Sequence, residues 1–331
     1  MQAIRIHEYG DADVCRLESV EVPRPGVGEV LIKVEVAGLN FIDVHLRLGR
    51  YAKSDTYRNA LPMTLGMEGA GTVAAVGADV DGLAVGDRVA WCIVRGSFAQ
   101  YALLPAAKLV VVPDALDLAR AAALMLQGLT AHYLAHSAFE LKSGSICLVH
   151  AAAGGVGGLL VQLAKLRGAT VIATVGSPEK AVRARALGAD HVILYREQDF
   201  RAETLRITEG RGVDVVYDSI GRDTIARSIR SLARRGLCIN FGGASGLVES
   251  IVPLELGEAG SVFFTRPHLA DYIATPAELA GRAGELFDHA LRGRLQVTID
   301  RRWPLAETAD AMRYLEAGRT RGKLLLDIPG A

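Results

Sequence analysis

The chain is expected to fall in the α/β class, as a doubly wound parallel sheet inserted into a β-rich remainder. Three observations predict this. From about residue 140, apolar β-type runs alternate with helix-patterned segments. Before about residue 125 the pattern is β-rich, with little helical period. Between them, an apolar run breaks into "AAAGGVGG" and resumes as a helix. The length, 331 residues, exceeds the roughly 250–300 at which one core stops growing, so two domains are expected.

Each element has its own warrant. "EVLIKVEVAGLN" alternates after Pro25-Gly26, and "AGTVAAVG" and "GDRVAWCIV" are short β-type runs bounded by glycine. Next come strand "SICLVHA", helix "GVGGLLVQLAKLRG", strand "ATVIATV", helix "SPEKAVRARALG" and strand "HVILY". Helix "DFRAETLRIT", strand "VDVVYDS", helix "RDTIARSIRSLARRG" and strand "LCINFGG" complete the series. Strands separated by helices pair in parallel through crossovers that cover both faces. After Thr265 the alternation stops. Helices "PAELAGRAGELFDHALRG" and "LAETADAMRYLEAG" are separated by "LQVTIDRRWP", and "GKLLLDIP" closes as a strand. The two ends are therefore expected to fold together, residues 1–125 with 266–331, around a Rossmann nucleotide domain at 126–265.

Composition removes several function classes. Lysine plus arginine equals aspartate plus glutamate, 37 against 37, so nothing electrostatic favours nucleic acid or an anionic membrane as partner. The opening "MQAIRIHEYGDADV" is charged and does not read as a signal peptide, and no run of about 18 apolar residues suggests a membrane span. Cys15, Cys92, Cys147 and Cys238 are far apart and form no CxxC pair, so neither a metal-ligand spacing nor a disulfide framework is expected. A reduced, cytoplasmic protein is the simplest expectation.

In "AAAGGVGG", Ala152, Gly154 and Gly157 form AxGxxG, a variant of the dinucleotide fingerprint. The first position makes a tight turn, the second lets backbone approach a diphosphate, and the third lets helix pack on strand. Gly154, Gly155, Val156 and Gly157 then present amides and the positive end of a helix dipole to the anion. NAD-preferring units carry an acid at the end of the second strand. Here Gly176 and Ser177 stand there, and Lys180 and Arg183 follow. Ser177 can hydrogen-bond a 2′-phosphate and Lys180 can pair with it, so NADPH is the expected cofactor. The alternative for Lys180 and Arg183 is a solvated helix face, and for Glu179 that it simply serves the helix dipole. Tyr195, at the end of the third strand, either contacts the phosphate or adenosine or packs the strand end.

The whole pattern resembles the medium-chain dehydrogenase/reductase superfamily, in its zinc-independent quinone oxidoreductase branch. The resemblance is carried by "GEVLIKVEVAGLNFIDVHLRLGRY", "LPMTLGMEGAGTVAAVG", "GDRVAW", "LMLQGLTAHYL", "VHAAAGGVGGLLVQLAK", "ALGADHVILY", "VDVVYDSIG" and "FFTRP". It implies that the β-rich part is a GroES-like catalytic domain. Zinc members of the superfamily place a cysteine ligand where this chain has Asn40 and a histidine ligand where it has Met67. An amide and a thioether are poor substitutes on zinc, and the four-cysteine lobe is also absent, so no metal is expected.

The branch is expected to hold its substrate in a cleft lined by "NFID". By resemblance, Asn40, Asp43, Arg47 and Tyr51 match the catalytic pattern, and His45 stands where relatives usually have tyrosine. His45 either donates a proton near neutral pH or forms a neutral hydrogen-bonding wall. Asp43 either acts in the site or merely positions Arg47 or caps a turn. Further cofactor contacts implied are Gln127, Thr130, Ser219, Gly221, Phe241, Gly242, Gly243, Ala244, Phe264, Thr265, Arg266 and Lys323. Phe241 and Phe264 could equally fill core.

The activity implied is metal-free hydride transfer from NADPH to a small-molecule quinone. One alternative is reduction of an activated C=C bond in a 2-alkenal, enone or enoyl-CoA. A second is an NADPH- or RNA-binding protein without significant turnover. A homodimer is implied too, with "GSVFFT" as candidate edge strand.

Overall fold

Six strands pair side by side in parallel: Ile146–Val149 (β1), Thr170–Val175 (β2), His191–Leu194 (β3), Val213–Asp218 (β4), Leu232–Asn240 (β5) and Phe263–Thr265 (β6). The structure is a computed structural model that describes residues 1–53 and 60–330. Strand order is β3-β2-β1-β4-β5-β6, so the chain winds outward from β1 and then returns to lie on its other side. That reversal between β1 and β4 opens a crevice at the carboxyl ends of the strands, where such sheets bind ligands. Helices Gly155–Leu166 (α1), Pro178–Ala186 (α2) and Phe200–Ile207 (α3) connect the first four strands. Because both faces are covered, β2 is apolar almost throughout, with Val171 to Val175 all buried.

One expected helix is much shorter. "RDTIARSIRSLARRG" reads as a single helix, but the helix covers only Ile225–Ile229 (α4), and β5 begins at Leu232. The Ser231 hydroxyl donates to the Arg227 carbonyl at 2.8 Å, closing the helix end. Leu232 and Ala233 are buried, so their apolar character serves the sheet rather than a helix face.

The chain divides into two compact units, Met1–Leu126 with Ile273–Ala331, and Gln127–Tyr272. The later boundary thus falls seven residues beyond 265/266. The segment past β6 stays with the nucleotide unit because Tyr272 stacks on Tyr133, ring centroids 4.1 Å apart.

In the first unit, strand Glu29–Leu39 is the axis of a seven-stranded sheet. It pairs antiparallel with Glu68–Val76, with Tyr101–Pro105 and with the late strand Lys323–Asp327. The two ends of the chain therefore share one sheet. Register does the positioning: Leu324 faces Leu39 and Gly69 faces Ala37. One step along each ladder brings Lys323 to Asn40 and Glu68 to Gly38. Trp91, Phe98, Ile4 and Ile6 are fully buried in this unit's core. Among the described residues, no helix is long and apolar enough to cross a membrane.

Candidate active site and nucleotide-binding elements

Asn40 ends the axial strand and caps helix Phe41–Arg47. The Asp43 carboxylate accepts from the Asn40 amide at 2.8 Å and from the Met67 amide at 3.0 Å. Asp43 is thus engaged as a cap, fully buried, and burial pushes its carboxyl up to about 7 against the opposing pull of the Asn40 amide and Lys323.

Behind the cap lies a buried polar cluster. The Lys323 ammonium donates to Asn40 Oδ1 at 2.7 Å and pairs with Glu68, while Asn40 Nδ2 donates to Glu68 Oε2 at 2.9 Å. An ammonium can only donate, so it fixes which end of the Asn40 amide carries oxygen. Lys323 is 1% exposed and Glu68 is fully buried. Only a glycine fits opposite: a Cβ on Gly38 would lie 1.8 Å from Glu68 Oε2. Lys323, expected among the cofactor contacts, is held here by Glu68 and Asn40. Glu68 was not foreseen as a site residue; the signal was a lone acid in an otherwise apolar strand.

His45 is buried on the same helix, with Arg50 Nη1 3.1 Å from its Nδ1 and the Tyr51 ring perpendicular at 5.8 Å. A guanidinium donates only, so Nδ1 accepts and the imidazole carries its proton on Nε2. Arg47 goes elsewhere. It is 1% exposed and forms an ion pair with Glu316 at 2.9 Å, holding its helix against Thr308–Glu316. The structure thus brings Asn40, Glu68 and Lys323 together, with Asp43 as their cap and His45 beside Tyr51, and leaves Arg47 outside that cluster.

Zinc does not suit this donor set. At the two positions where zinc members have ligands stand the Asn40 amide, bonded to Glu68 and Lys323, and the buried Met67 thioether. The nearby carboxylate of Glu68 is already matched by an ammonium.

In the nucleotide unit, the glycine turn follows β1. Ala151, rather than Ala152, takes the left-handed conformation (φ 50°), and Gly154 caps α1. Gly158 N to Gly154 O, 2.9 Å, is the first bond of that helix, so the amides of Gly155, Val156 and Gly157 open its first turn. A Cβ on Gly157 would lie 2.3 Å from the Ala151 carbonyl, so this glycine is what lets helix meet strand. The Gln127 amide lies against Gly155, where a Cβ would come within 2.1 Å of it. Thr130 is buried one turn after Gln127, on helix Leu118–Tyr133.

At the end of β2, Gly176 sits under the Tyr195 hydroxyl, which a Cβ there would approach to 2.8 Å. Tyr195 is itself 46% exposed, so its ring is not packed away. Ser177 caps α2 by accepting from the Lys180 amide, and Lys180 and Arg183 lie on that helix. Gly176, Ser177, Lys180 and Tyr195 are thereby gathered at one strand end.

The loops after β4 and β5 interlock. Ala244 N donates to Ser219 O at 3.2 Å, and a Cβ on Gly242 would lie 2.5 Å from that same oxygen. Gly243 is buried beside them, and Phe241 N donates to Asp218 O. Asp218, unforeseen, organises the first loop: buried, it accepts from the amides of Ile220 and Gly221 and from the hydroxyls of Thr224 and Ser228. Ser228 is in turn 3.0 Å from His150 Nε2, and Thr174 is 2.8 Å from His150 Nδ1. Burial holds His150 below its ordinary value despite Asp218, so the ring sits neutral between two hydroxyls. Thr265 ends β6, Phe264 packs partly against this unit's core, and Arg266 donates to Asn240 O at 3.0 Å.

Comparison with known proteins agrees with this architecture. Residues 26–114 match the alcohol dehydrogenase GroES-like domain, and residues 187–326 match a zinc-binding dehydrogenase domain. A quinone oxidoreductase of Pseudomonas aeruginosa is 42% identical over 324 residues, covering 98% of each chain. A 2-haloacrylate reductase of a Burkholderia species is 41% identical over 330 residues, with the same coverage. The crystal structure of Escherichia coli quinone oxidoreductase with NADPH superposes with a TM-score of 0.95 at 38% identity, covering 99% of this chain and 100% of that one. The chain belongs to the quinone oxidoreductase branch of the medium-chain dehydrogenase/reductase superfamily.

Proposed function

We propose that the protein reduces a quinone with NADPH, without a metal in the hydride-transfer step. The observation that carries this reading is that, where zinc members have metal ligands, the Asn40 amide stands bonded to the matched Glu68–Lys323 pair and the Met67 thioether is buried. NADPH is supported by Gly176 and Ser177 at the end of β2 in place of an acid, by Lys180 and Tyr195 close by, and by the coenzyme in the Escherichia coli relative. The diphosphate is assigned to the amides of Gly155, Val156 and Gly157. Ser219, Gly221, Phe241, Gly242, Gly243, Ala244, Thr265 and Arg266 form the remaining wall at the strand ends.

When bound, the coenzyme supplies the hydride that converts a quinone carbonyl to an oxyanion. The chain's own residues align the acceptor and donate to that oxygen. The Nε2–H of His45 is the assigned donor, and Asn40, held by Lys323, Glu68 and the Gly38 carbonyl, positions the wall of the site through that cluster. Water, His45 or Tyr51 supplies the proton to that oxygen, and shift of the added ring hydrogen to the second carbonyl oxygen as a proton then gives the hydroquinone. Replacing Asn40 with alanine is expected to lower turnover more than NADPH affinity, and equal losses of both would contradict its role.

A second reading, reduction of an activated C=C bond, is favoured by the 2-haloacrylate reductase relative. A quinone is itself a conjugated enone, so one site serves both chemistries. Assaying 1,2-naphthoquinone beside a 2-alkenal, a 2-haloacrylate and crotonyl-CoA separates them: the highest kcat/KM on the naphthoquinone is expected. A homodimer is proposed through β6, the outermost strand, where Phe263 is 61% exposed.

A further inference from the structure

We propose that the nucleotide unit carries a second anion site, for a small polyphosphate, at the end of the sheet opposite the glycine turn. A cavity of about 430 Å³ opens there, lined by Phe139, Lys142, Arg211, Asp214, Arg234 and Arg235 among others. It lies at the amino ends of β1 and β4, whereas the glycine turn and the loops described above lie at their carboxyl ends. Its size falls within the roughly 300–1,000 Å³ of small-molecule sites.

The charge around it is local and unmatched. Arg211 pairs with Asp214. Among the described residues, Lys142, Arg234 and Arg235 have no carboxylate partner, in a chain whose charges balance at 37 against 37. Three such cations around one opening repel one another and lower the cost of bringing in an anion.

The backbone is shaped to put them there. Pairing between β4 and β5 jumps from Val213 with Leu232 to Val215 with Leu237, so residues 233–236 stand opposite Asp214 alone. This bulge carries the two arginines, and Arg235 sits in the left-handed region (φ 62°), with its amide anchored to Gly260 O at 2.9 Å. The bulge is also seated closely: a Cβ on Gly212 would lie 2.6 Å from the Leu232 carbonyl carbon. Bulges of this kind re-aim side chains. Phe139 adds a ring wall against which a base could stack, so the polyphosphate could be free or borne on a nucleoside.

The proposal goes beyond the reduction reaction and does not depend on its acceptor. The test is calorimetric titration of sodium tripolyphosphate and, separately, of ATP into protein saturated with NADPH. One additional site per chain is expected, weakening as salt rises. The variant Lys142→Ala/Arg234→Ala/Arg235→Gly is expected to lose more than about tenfold in affinity, since charge-assisted bonds are strong. Arg234→Ala alone, an exposed change, should lose part of that. Tighter binding of ATP identifies a nucleotide, and equal binding identifies the phosphate chain itself. No binding of either probe, or undiminished binding to the triple variant, would overturn the proposal.

Discussion

The Lys323 ammonium pairs with the Glu68 carboxylate in a site from which both are almost wholly shielded, 1% and 0% exposed. Lys323 lies on the last strand and Glu68 on an early one, so the pair closes across strand Glu29–Leu39. Removing one member leaves a buried charge unmatched, which costs about 3–5 kcal/mol. Lys323→Met should therefore destabilise by that order in chemical denaturation, and Lys323→Met with Glu68→Gln should recover part of the loss. A double variant as unstable as the two single losses combined would show that the two residues are not coupled.

Asp43 gives a pH dependence with a defined sign. Its carboxyl is raised from 3.8 to about 7 by burial, so the folded chain holds this proton more tightly than the unfolded chain. The resulting stability is complete below about pH 4 and is lost as pH climbs through about 7. Thermal melts of the wild type and Asp43→Asn should therefore diverge between about pH 4 and 7, the wild type losing ground as pH rises. Parallel melting curves over that range would contradict the assignment.

Much of this was legible in the sequence for physical reasons. The α/β alternation is local, because strands buried on both faces must be apolar and their crossover helices must follow a 3.6-residue period. The glycine turn was legible because close backbone approach leaves no room for a side chain, as at Gly157. The Glu68–Lys323 pair was not, because it depends on register between strands 255 residues apart. Nor was the early end of α4, where apolar Leu232 and Ala233 serve a strand while continuing a helical pattern. Arg47 matched a motif, yet its partner Glu316 comes from a distant helix that no local pattern reveals.

The glycine turn itself can be tested sterically. A Cβ at position 157 would lie 2.3 Å from the Ala151 carbonyl, a contact that backbone must move to relieve. Gly157→Ala should weaken NADPH binding by about tenfold or more, equivalent to about 1.4 kcal/mol. Nucleotide fluorescence titration reads this directly, and an unchanged affinity would remove the diphosphate from this turn.

The sheet edge predicts an assembly phenotype. Phe263 is 61% exposed on β6, and a charge there would oppose strand pairing with a second copy. Phe263→Lys should shift the protein from dimer to monomer in analytical ultracentrifugation while leaving NADPH binding intact. A wild-type protein that sediments as a monomer would contradict the dimer.

The most direct test of the central claim is steady-state oxidation of NADPH by 1,2-naphthoquinone, using protein dialysed against a chelator and analysed for metal. The account predicts full turnover in metal-free protein, and a rate unchanged when zinc is restored. Loss of turnover on dialysis with recovery on adding zinc, or no NADPH oxidation with any conjugated carbonyl acceptor, would contradict it.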